Sequence, residues 1–78
     1  MYEEVHNWLQ KAADNRHIHA RFHMDLVRPD NGWLYIPVYI EDQMDAYAKA
    51  SALQDLEDAW NDQDPAPGTQ LLLIPAAN

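Results

Sequence analysis

Apolar residues at Tyr2, Val5, Leu9 and Ala12, flanked by Trp8 and Ala13, recur at about 100° per residue and predict a first helix over residues 2–13. Asp14-Asn15 ends it, because Asn tolerates the left-handed backbone common just past a helix. From His17 the period drops to two. Ile18, Ala20, Phe22, Met24 and Leu26 alternate with His17, His19, Arg21, His23 and Asp25, predicting a strand with one apolar and one polar side. A second strand runs from Trp33 to Ile40, with Leu34, Ile36, Val38 and Ile40 on one face and Trp33, Tyr35, Pro37 and Tyr39 on the other.

The Pro29-Asp30-Asn31-Gly32 link between these strands admits two registers. An Asn-Gly pair suits a two-residue type I′ turn, which pairs Asp30 with Trp33. That register aligns Phe22, Met24 and Leu26 with the Trp/Tyr face. A three-residue loop, Asp30-Asn31-Gly32, places Gly32 at a left-handed bulge and sets Phe22 against Ile40 and Leu26 against Ile36. Register follows the buried face, so the three-residue loop is the expectation.

Glu41-Asp42 opens a second helix, with Asp42 as N-cap. Ala48, Ala52, Leu53, Leu56, Ala59 and Trp60 form one side of it, where Lys49 must snorkel; Tyr47, Gln54, Glu57, Asp58 and Asn61 form the other. Two prolines and a glycine make residues 61–68 a loop, and Thr69 to Pro75 reads as a short strand. The order α-β-β-α-β describes one α+β domain over residues 1–78. Strand three can join the hairpin beside strand two, giving 1-2-3, or beside strand one, giving 2-1-3. Proline is confined to sheet edges and bulges, so Pro37 favours 2-1-3, a three-stranded antiparallel sheet with the histidine strand central. Both helices then pack on the aliphatic face and the opposite face stays bare.

Charge sharpens this picture. The net charge is −8, and eight of the thirteen acids lie between Glu41 and Asp64. Phosphate affinity comes from basic contacts, so this balance opposes nucleic acid and anionic membrane as partners. No apolar run approaches the roughly 20 residues of a membrane span, and the acidic start is unlike a signal peptide; a cytoplasmic location is the default. Without cysteine there are no disulfides or thiolate sites, and a core this thin is commonly deepened by oligomerisation.

The candidate chemistry lies on the bare face. His19, Arg21, His23, Trp33, Tyr35 and Tyr39 would form a half-aromatic patch of the kind that marks a contact surface. Same-side strand neighbours stand about 7 Å apart, so His17 and His19 can share an ion, but the third histidine is too distant for a zinc set. No nucleophile motif or Gly-rich phosphate loop is present, and no catalytic residue, metal or cofactor is assigned. The expectation is a non-catalytic interaction module that homodimerises through the open sheet. The alternative is a small-molecule or metal site formed at a dimer seam by His19, Arg21, His23 and Tyr39. A second surface, Asp55, Glu57 and Asp58 on the acidic helix, offers docking for a basic protein.

Overall fold

A computed structural model describes residues 2–77. Its first helix, α1 (Glu3–Asn15), buries Val5, Leu9, Ala12 and Ala13. The helix ends in a Schellman cap: the Ile18 N–H donates to the Ala13 carbonyl (2.9 Å) and the His17 N–H to that of Asp14 (3.0 Å). The left-handed residue is His17, at φ 58°, not Asn15. His17 therefore belongs to the cap and not to the sheet face, while Ile18 packs against the core as the cap's apolar contact.

The expected long histidine strand is divided. β1 covers only Ala20–Phe22; a 3-10 turn occupies Met24–Leu26; β2 covers Arg28–Asp30 and leads into β3 (Trp33–Ile40). The turn into β3 is the two-residue one, with Asp30 paired to Trp33 and positive φ at both Asn31 (55°) and Gly32 (87°). Held along the whole strand, that register would invert the faces. It is not held. β2 pairs Arg28 with Tyr35, whereas β1 pairs Arg21 with Tyr39 and Phe22 with Val38. The change absorbs three residues, an odd number, and so exchanges inward and outward positions. Phe22 is buried on the core side, Arg28 shares a face with Tyr35, and Leu26 is left 59% exposed.

Pro37 shows why the interruption falls where it does. The His23 N–H donates to the Pro37 carbonyl at 2.9 Å, so the Pro37 nitrogen faces the same neighbour and has no hydrogen to return. The ladder loses a rung there, and the chain leaves it at once, the Leu26 N–H closing onto the His23 carbonyl at 3.0 Å. A proline opposite a break in its neighbour is tolerated in a central strand, and β3 is central.

The sheet has four strands rather than three. β1 and β2 share one edge of β3, and β4 (Gln70–Pro75) takes the other. The 2-1-3 order is thus corrected: the aromatic strand, not the histidine strand, lies in the middle. The all-antiparallel sheet is corrected too, because α2 (Ala46–Asn61) carries the chain back along the sheet before β4, which then runs parallel to β3. The N-cap of α2 is Asp45, whose Oδ1 accepts the Ala48 N–H at 2.7 Å; Asp42 is engaged elsewhere.

Both helices bury their apolar stripes against Ala20, Phe22, Leu34, Ile36, Val38, Ile40, Leu71 and Leu73, in one cluster that also holds Leu53, Leu56 and Trp60. The outer rim of β4 is closed by side chains of α2. Glu57 Oε1 accepts the Leu73 N–H at 2.8 Å. Asn61 accepts the Leu71 N–H (2.9 Å) and donates to the Leu71 carbonyl (3.0 Å), as a neighbouring peptide unit would. Trp60 Nε1 donates to the Thr69 carbonyl just before the strand, at 2.7 Å. The opposite rim offers only two three-residue strands, one containing Pro29. Both edges are therefore unsuited to accepting a further strand.

Candidate functional site: the open sheet face

With the helices on the side of Leu34 to Ile40, the odd-numbered residues of β3 face outward. Trp33 is 38% exposed, and Tyr35, Pro37 and Tyr39 are half-buried with no helix above them. Parallel pairing brings Leu72 beside Tyr35 and Ile74 beside Pro37. From the other edge, Arg28 joins Tyr35 and Arg21 joins Tyr39. The result is an aromatic and aliphatic strip carried on rigid strands.

Cations gather on this strip although the protein is acidic. The Arg28 guanidinium lies over the Tyr35 ring, 5.3 Å from its centroid. Lys49 reaches from α2 to place Nζ 5.7 Å from the Tyr39 centroid, which is how it resolves its position on the helix's inner side. Arg21 Nε donates to Glu41 Oε1 at 2.6 Å. Three of the five basic side chains thus border one face, while Asp55 and Asp58 are exposed on α2.

The histidines divide by role. His19 is engaged by Asp42: its backbone N–H donates to Asp42 Oδ2 at 2.7 Å, and its ring Nδ1 lies 2.8 Å from Oδ1. The hydrogen bond and charge of Asp42, supplemented by Glu41 and Asp14, hold the imidazole above its ordinary pKa; the same pair holds Asp42 below the usual carboxylate range. The raised His19 value contributes stability at low pH that is lost as pH rises through it. The lowered Asp42 value contributes stability at higher pH that is lost as pH falls through it. The pair is therefore at full strength from roughly pH 4 to pH 6.5. In Asp42→Asn, the His19 titration midpoint followed by imidazole NMR falls toward that of a free histidine; an unmoved midpoint would contradict the pairing. The His19 side chain is 75% exposed, so the effect on global stability is small.

His23 is half-buried at the start of the 3-10 turn, and its Nε2 is enclosed without a hydrogen-bond partner among the described residues. Of the four residues expected at a seam site, Arg21 and Tyr39 are brought together, His19 is committed to Asp42 and His23 lies at the strand break. Among the described residues no group of three or more His, Cys, Asp or Glu side chains converges to hold a metal ion. Glu57, expected with Asp55 and Asp58 on the acidic surface, is 8% exposed and turned onto β4. Its signal was in the spacing: Leu53, Leu56, Glu57 and Trp60 form one i, i+3, i+4, i+7 stripe, and Glu57 stands within it.

No family model, no curated protein and no solved structure matches this chain.

Proposed function

We propose that this protein is a non-catalytic interaction module that docks through the open face of its sheet, with a second copy of itself as the occupant. The observation that carries this reading is the combination of a bare aromatic face with two closed edges. Strand addition is blocked by Glu57 and Asn61 on one side and by the broken β1/β2 edge on the other, so association through this sheet must be face to face. Such packing would cover Tyr35, Tyr39, Leu72 and Ile74 and add depth to a thin core. Charge acts both ways in this geometry. Arg28 and Lys49 of the two copies approach one another across the seam, while the acidic outer surfaces of the helices, including Asp55 and Asp58, stay outside it and point to opposite ends of the pair.

Size sets the strength. Eight residues of β3 by three strands give a strip of about 26 Å by about 14 Å, roughly 360 Å² on each copy, which is below the standard size of a specific interface and fits a weak, transient pairing. Sedimentation velocity across a concentration series should show a dimer forming by about 100 µM. Tyr35→Ala and Tyr39→Ala should each give a monomer with an unchanged far-UV spectrum. A wild-type protein that stays monomeric throughout the series removes the self-association reading. The exposed carboxylates Asp55 and Asp58 support a second docking surface for a basic protein, on the side left outward by such a dimer.

A further inference from the structure

A separate cleft lies between the start of α1 and the end of α2. It encloses about 310 Å³ and is lined by Glu4, Val5, Trp8, Trp60, Pro65 and Thr69, among others. Trp8 and Trp60 meet edge to face, with ring centroids 5.3 Å apart and planes at 70°. Two rings so placed form a corner in which one group can touch the π surfaces of both.

We propose that this corner binds a small organic cation with a methylated ammonium head. The walls offer π faces and aliphatic carbon, which suit a large, weakly hydrated cation better than a metal ion. Two of the wall donors are already engaged, Trp60 Nε1 on the Thr69 carbonyl and Thr69 Oγ1 on the Ala66 carbonyl at 2.6 Å, and Gln63 Nε2 donates to the Ala59 carbonyl at 3.4 Å. The one charged residue in the lining is Glu4, and no basic side chain pairs with it among the described residues. A carboxylate at the mouth of an aromatic corner supplies a counter-charge where the cation would sit, and the net charge of −8 draws cations toward the molecule. Trp8 stands half-buried on α1, one turn after Glu4, so the helix itself sets the acid and the ring side by side.

The site is independent of the sheet face, so its test can fail without touching the dimer. Choline and its uncharged carbon isostere dimethylbutanol are titrated against the protein, with tryptophan fluorescence and amide NMR shifts as readouts. Choline should bind in the millimolar range and at least about tenfold more tightly than the isostere, a margin that a desolvated cation–π contact can supply. Glu4→Gln, a surface change that keeps the fold, should weaken choline several-fold and leave the isostere unchanged. Trp8→Leu should abolish binding. A short peptide carrying trimethyllysine presents the same head group on a protein, and tighter binding of one ligand than the other identifies its source. Equal binding of choline and dimethylbutanol, or choline binding indifferent to Glu4→Gln, would overturn the proposal.

Discussion

Excising Met24, Asp25 and Leu26 together should leave a folded protein, whereas deleting Asp25 alone should unfold it or nearly so. The reason is the parity of the β1/β2 edge. β1 follows the register that pairs Phe22 with Val38, β2 the register that pairs Arg28 with Tyr35, and the two differ by the three residues of the 3-10 turn. Removing all three joins the strands in one continuous register, with Phe22 still against Val38. What is lost is the partial packing of Met24 and the Leu26 N–H that satisfies the His23 carbonyl opposite Pro37, about 1–3 kcal/mol for the stranded carbonyl; Leu26 itself is already largely exposed. Removing one residue leaves too few to close the turn. Either the turn is strained, or β1 slips by one and turns Ala20 and Phe22 outward and Arg21 inward. Losing a buried Phe costs about 1.5–3 kcal/mol and burying an unpaired charge costs more. Against a total of roughly 4–12 kcal/mol for a chain this long, that is most of the stability. Thermal melts of the two deletion variants decide the matter, and a single deletion that melts above the triple one would refute the register argument.

The second large effect is expected at the rim of β4. Glu57→Ala strands the Leu73 N–H, and Asn61→Ala strands both polar groups of Leu71. Each of the three groups left without a partner costs about 1–3 kcal/mol, so the double variant should lose roughly 3–9 kcal/mol. It should also change how the protein associates. The exposed rim becomes a template for another strand, and material that remains folded should form β-rich aggregates that bind thioflavin. Single variants can be ranked by urea midpoint: Asn61→Ala, which strands two groups, should sit below Asn61→Asp, which keeps the acceptor for the Leu71 N–H. A double variant of unchanged stability and solubility would show that these contacts do not guard the edge.

Much of this was legible in the sequence. The alternations at residues 20–22 and 33–40 identify the inward face, and the bare opposite face follows from having two helices with one apolar side each. Lys49 reads as a snorkelling residue because it stands among alanines on the inner side of α2, and its position over Tyr39 bears this out. The phase break was not legible. A period-two pattern continues through Met24 and Leu26 as smoothly as through Phe22, because extruding three residues leaves the written alternation intact while moving Leu26 into solvent. Asn-Gly had the stronger local claim on the turn and keeps it; the conflict with the buried face is resolved five residues upstream instead. Pro37 carried the right warning but two solutions, edge or break, and only the backbone direction of His23 distinguishes them. Glu57 was misplaced because the small alanines at 48, 52 and 59 pull the apparent apolar axis of α2 away from the larger Leu53, Leu56 and Trp60, which define it.

The separation of β3 from its parallel neighbour also governs the sequence of events at the ribosome. β1 and β2 are already made when β3 emerges, so that ladder can form while translation continues. The other side of β3 waits for Gln70 to Pro75, which follow only after the whole of α2 and the proline-rich loop. At usual elongation rates the delay is on the order of seconds, long compared with the microseconds a hairpin needs. During that interval Leu34, Ile36 and Val38 lack the strand that will cover their flank. A nascent chain stalled before Leu71 therefore presents a sticky, half-built sheet, and it is the chain at this length that should engage chaperones.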